Sequence, residues 1–111
     1  TSEGGNSMAR SIRVLYRGVQ GRMRVNQNWE PINKNSAVVV TAAEWRAAGG
    51  IFGSYVGRPH LGEANVYVTN IGPHDPEGGP GGVEFHLHVD SASPLDVIVT
   101  ISVLGDIESF T

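Results

Sequence analysis

The segment Val83–Asp90 (VEFHLHVD) alternates without a break. Val83, Phe85, Leu87 and Val89 are apolar, and Glu84, His86, His88 and Asp90 between them are polar or ionisable. Successive side chains of a strand point to opposite faces, so this period buries one face and wets the other. A helix would scatter both sets around its axis. The chain must therefore cover one face of this strand with a second layer, and the same period recurs along most of its length. In Ser11–Arg17, Ile12, Val14 and Tyr16 alternate with Ser11, Arg13 and Arg17, and Leu15 is the exception on the polar side. In Arg22–Trp29, Met23, Val25 and Trp29 alternate with Arg22, Arg24, Asn26 and Asn28. Asp96–Leu104 and Glu63–Asn70 repeat the pattern.

Turn formers punctuate these runs. Gly18-Val19-Gln20-Gly21 separates the first two, which predicts an N-terminal hairpin with Arg13, Arg17, Arg22 and Arg24 on one outward face. Gly72–Gly82 reads as a loop of eleven residues, Gly57–Gly62 as another, and Ser91–Leu95 as a hairpin or a sheet-to-sheet arch. Ala37–Val40 is a short strand, and Ile51–Val56 is a weaker one interrupted by Gly53. One helical signal stands out. Thr41 and Glu44 have capping-box spacing, alanines follow, and Gly49-Gly50 ends the run, which predicts a short helix near 41–48 pinned by Trp45. About seven short strands with one small helix predict an all-β fold, a single-domain antiparallel β-sandwich over 8–111. Thr1–Ser7 reads as an appended remnant or disordered tail before Met8.

With 111 residues, the chain has room for one domain and a core that needs no staples. It has no Cys, which excludes disulfides, thiolate metal sites and Cys nucleophiles. No apolar run is long enough for a membrane helix, and no apolar leader follows Met8, so a cytoplasmic location is expected. Net charge is only −3, yet its distribution is lopsided. Residues 1–58 hold eight basic and three acidic side chains, a net +5; residues 59–111 hold eight acidic and no basic ones, a net −8. Arginine strands set beside acidic strands, or the two faces of different copies meeting, both answer that split.

The chemistry-bearing residues are few. His86 and His88 form an i, i+2 pair on one strand face, a platform for a divalent transition metal, with Glu84 or Asp90 as oxygen ligands and His60 or His74 as a third nitrogen. The bland counterpart is a solvated sheet face whose polar groups pair across strands. The strand resembles the His-x-His strand of cupins, over this strand and the loop before it. The positions where cupins carry Gly and Glu hold Pro80 and Ala92 or Ser93, and no His follows Asp90, so the resemblance implies no activity. The Gly72–Gly82 loop lacks the Lys of a P-loop, and its Asp75 and Glu77 are too few for an EF-hand. No Gly-x-Ser-x-Gly elbow exists for a nucleophilic serine.

The sequence therefore favours a non-catalytic binding or assembly module without a cofactor. Its ligand is expected to be a protein partner, its own copy or a carbohydrate. Tyr67 shares parity with Glu63, Asn65 and Thr69, which sets an aromatic on a polar face where a ligand could stack. Trp29 and Trp45 are expected in the core. A metal-binding protein or metal-dependent enzyme using Glu84, His86, His88 and Asp90 is the alternative. Nucleic-acid binding through Arg13, Arg17, Arg22 and Arg24 is the second alternative, weakened by a pI of about 5.7.

Overall fold

The computed structural model describes residues 8–47 and 57–111. Among the described residues seven strands follow one another: β1 (Arg10–Val19), β2 (Gly21–Asn28), β3 (Ser36–Ala47), β4 (Gly57–His60), β5 (Asn65–His74), β6 (Gly82–Asp90) and β7 (Leu95–Asp106). They form a four-stranded sheet ordered β1-β7-β3-β4 and a three-stranded sheet ordered β2-β6-β5. Every strand pair is antiparallel. The sheets face each other, and the fold is the expected all-β sandwich.

The core follows the alternation. Val83, Phe85, Leu87 and Val89 of β6 are at most 1% exposed, as are Val97, Val99 and Ile101 of β7. Full burial of such side chains contributes about 1.5–3 kcal/mol each. Val40 of β3 and Val25 of β2 complete the interior with Ile32, which the loop between β2 and β3 inserts. That loop is fixed by a reciprocal pair: Asn33 N–H donates to Ser36 Oγ, and Ser36 N–H to the Asn33 carbonyl. The buried Ser36 hydroxyl is thereby satisfied.

Three expectations are corrected. First, the N-terminal hairpin does not form. β1 pairs with β7 and β2 with β6, so the chain crosses between sheets at Gln20. Gly18 (φ 61°) and Gly21 (φ 76°) hold the left-handed backbone that this crossing requires. Glycines at both ends of a short link serve a hairpin and an arch equally, and the hydrophobic sides of both strands are buried either way. Tyr16 Oη donates to Gln27 Oε1 at 3.1 Å and ties the two edge strands across the sandwich. The Tyr16 pKa is raised above its usual value of 10.0 by burial.

Second, no helix occurs among the described residues: Thr41–Ala47 continues β3. Ala42 pairs with Val99, and Glu44 pairs with Val97 on one side and His60 on the other. A two-turn helix is marginal in water, whereas the strand gains hydrogen-bonded neighbours on both edges, so pairing overrides alanine propensity. Trp45 consequently lies opposite Pro59 on the outer face, half-buried and outside the core, while Trp29 packs against the core as expected. Third, β5 is longer than its pattern suggests. Past a bulge between Thr69 and Gly72, Gly72, Pro73 and His74 pair with Glu84, Val83 and Gly82, which leaves residues 75–81 as the loop. β4 likewise takes part of the expected Gly57–Gly62 loop. Thr1–Ser7 and the Ile51–Val56 strand lie outside the described residues.

Candidate functional site

The outer face of the three-stranded sheet gathers most of the residues singled out from the sequence. β6 lies between β2 and β5, so Glu84, His86 and His88 each have a neighbour on both sides, and Asp90 has one on β5. Register builds two rows: Arg22, His88 and Tyr67 in one, Arg24, His86 and Thr69 in the next. Asn26 and Glu84 continue the grid at one end, and Asn65 and Asp90 at the other. The opposite side of β6 carries Phe85, Leu87 and Val89 into the core, so the grid stands on a strand whose inner face is fully buried.

Contacts within the grid are specific. Tyr67 stacks on His88 with ring centroids 4.4 Å apart and planes 2° from parallel. His88 Nε2 meets Thr69 Oγ1 at 2.7 Å. Tyr67 sits on an edge strand and is 43% exposed, which leaves ring surface open to a ligand. His86 lies edge-on to His88, with centroids 6.3 Å apart. Arg22 Nη2 donates to His86 Nδ1 at 3.2 Å. A guanidinium can only donate, so Nδ1 is the acceptor and the proton of the neutral ring sits on Nε2. The His86 pKa is lowered from 6.5 by desolvation first, then by the charges of Arg22, His88 and Arg24. Arg24 directs both Nε and Nη2 onto Glu84 Oε2. A shallow open depression beside this pair is lined by Arg24, Asn70, Gly72, Glu84 and His86.

The remaining candidates lie elsewhere. Arg13 is on β1 of the other sheet, where its Nε donates to Thr100 Oγ1 at 3.1 Å. Arg17 is on β1 as well, so the four arginines do not share the single face that a hairpin would give them. His60 is on β4, paired with Glu44. His74 ends β5, with Nδ1 bonded to the Asp75 carbonyl and Nε2 to Asn26 Oδ1. Among the described residues, no three His, Asp or Glu side chains converge closely enough to hold a metal ion. Asp90 stands six residues along β6 from Glu84, about 20 Å at the usual strand rise.

The charge split is resolved partly within the chain. Arg24 binds Glu84, and Lys34 Nζ lies 3.9 Å from Asp75, each a basic residue of the first half on an acidic one of the second. Exposed pairs of this kind contribute about 0–1 kcal/mol, so they organise the surface more than they stabilise it. Sequence reasoning did not single out Thr69 and Asn26 as site residues. Their signal was present in strand parity, since Thr69 shares a face with Tyr67 and Asn26 with Arg24. No family model, curated protein or solved structure matches the chain.

Proposed function

We propose that this protein is a non-catalytic binding module that takes a saccharide on the outer face of its three-stranded sheet. The carrying observation is the Tyr67–His88 stack, set in a row with Arg22 and surrounded by hydrogen-bonding side chains. Sugars present apolar C–H faces and many hydroxyls. An open aromatic ring accepts the former, and fixed donors and acceptors satisfy the latter. Glu84 neutralises Arg24, and the lowered pKa of His86 keeps that ring uncharged at neutral pH. The middle of the face is therefore polar with one cation, Arg22, that no carboxylate among the described residues opposes, which suits a hydroxyl-rich ligand better than the run of phosphates of a nucleic-acid backbone. Its rows of side chains run across the strands, which fits an extended chain lying over β2, β6 and β5.

Affinity electrophoresis in native gels containing soluble β-glucan, xylan, mannan, starch, pectin or alginate tests this. At least one polysaccharide retards the protein, and Tyr67→Ala weakens that retardation about three- to tenfold, the range expected for one aromatic contact. Migration unaffected by every polysaccharide overturns the reading. So does retardation that Tyr67→Ala leaves intact.

A further inference from the structure

We propose that the saccharide is acidic: Arg22 takes a sugar carboxylate while Tyr67 stacks on a ring farther along the same chain. This rests on the saccharide reading of the face. The two arginines of β2 differ in what they hold. Arg24 has Nε and Nη2 committed to Glu84. Arg22 meets an imidazole nitrogen through Nη2, and among the described residues no carboxylate pairs with it. A guanidinium carries five donors in a planar fork that matches a carboxylate with two parallel bonds. One bond to a neutral ring leaves most of that fork available.

The surroundings favour an anion at this position. His86 presents Nε2–H as a further donor beside Arg22, because Nδ1 accepts from the guanidinium. The groups facing His86 are Arg22 and Arg24 from β2, Glu84 and His88 along β6, and Thr69 from β5. Glu84 and Arg24 neutralise each other, so Arg22 is the unopposed charge beside His86; it adds to the desolvation that lowers the His86 pKa. A carboxylate bound at Arg22 offsets that charge, so the His86 pKa rises on binding and the ring takes up protons as pH falls.

The spacing fits an oligosaccharide. Arg22 and Tyr67 flank His88 in one row, two strand spacings apart, about 9.5 Å. A carboxylate on one sugar and a stacking ring on another can therefore be engaged by one chain lying across β6. A neutral sugar uses only Tyr67 and the hydroxyl partners, and an isolated anion uses only Arg22. The acidic oligosaccharide uses both.

Isothermal titration with galacturonate and mannuronate oligomers, each compared with its methyl-esterified form, tests this. The esters keep the sugar and remove the charge. The acidic oligomers bind about tenfold more tightly at pH 6 and low salt, and the preference shrinks as salt rises. Arg22→Gln removes the preference by lowering acid binding to the level of the ester, whereas Tyr67→Ala weakens both. Titrations in buffers of different ionisation enthalpy show proton uptake, and His86→Gln abolishes it. Equal binding of acid and ester overturns the inference and leaves the saccharide reading standing. Binding of neither overturns both. A preference that survives Arg22→Gln overturns the assignment. Equally tight binding of oligo-deoxythymidine or polyglutamate overturns it too, by making the face a general polyanion surface.

Discussion

Leu87 and His86 are neighbours in β6, and replacing each with alanine separates the two faces of that strand. Leu87 is fully buried, flanked in register by Met23 of β2 and Val68 of β5. Removing its isobutyl group forfeits the transfer free energy of the lost carbons and leaves a cavity that a strand paired on both sides cannot close. Leu→Ala at such positions costs about 2–5 kcal/mol, and the absence of slack here argues for about 3. His86 loses one exposed hydrogen bond to Arg22, so His86→Ala stays within about 0.5 kcal/mol of wild type. Urea unfolding followed by tryptophan fluorescence measures both. With a slope of about 1–3 kcal/mol per molar urea, Leu87→Ala lowers the midpoint by roughly 1–3 M, and His86→Ala barely moves it. In a thermal scan, 3 kcal/mol corresponds to a drop of roughly 12–24 °C for a domain of this size. Equal losses in the two variants, or the larger loss at His86, would refute the assignment of β6 faces on which the site depends.

Other consequences follow from single contacts. The folded pKa of His86 lies below its unfolded 6.5, so the folded state binds fewer protons in the interval between them. Stability from this group is fully present above pH 6.5 and is lost as pH falls through the folded value. An NMR titration of the imidazole reads a midpoint below 6.5, and Arg22→Gln shifts it upward. An unchanged midpoint would exclude Arg22 as a cause. Tyr16→Phe severs the bond to Gln27 across the sandwich and costs about 0.5–1.5 kcal/mol in chemical denaturation. Because the folded Tyr16 pKa is raised, stability from its neutral form is present below pH 10 and is lost as pH rises through the folded value, a limb that Tyr16→Phe lacks. A Cβ on Gly81 would collide with the Ile32 carbonyl oxygen and crowd that of His74, so Gly81→Ala costs about 1–3 kcal/mol. Gly79→Ala, which meets no neighbouring atom, serves as the control in the same melt.

Much of the fold is legible in residue order because one period governs it. Val83–Asp90 specifies its own register of buried and exposed side chains, and β7 does the same through Val97, Val99, Ile101 and Val103. What alternation cannot express is which strand pairs with which. Ile12, Val14 and Tyr16 turn inward whether β1 joins β2 or β7, so the hairpin and the arch look alike until sheet pairing is known. Thr41–Ala47 misleads for a different reason. Its local propensities are helical, and only the pairing of Glu44 with Val97 and His60 makes it a strand. The site shows the same division. Glu84, His86, His88, Asn65 and Tyr67 are assigned to exposed faces from parity alone. That Arg22 and Arg24 join them, while Arg13 and Arg17 go to the other sheet, depends on a crossing at Gln20 that no local pattern marks.

Chemical-shift mapping tests the central claim most directly. Acidic oligosaccharide is titrated into isotope-labelled protein, and backbone and imidazole signals are followed. The account predicts perturbations concentrated at Arg22, Arg24, Tyr67, Thr69, His86 and His88, with the outer face of β1, β7 and β3 unchanged. Perturbations centred on the four-stranded sheet, or none at millimolar ligand, would contradict it.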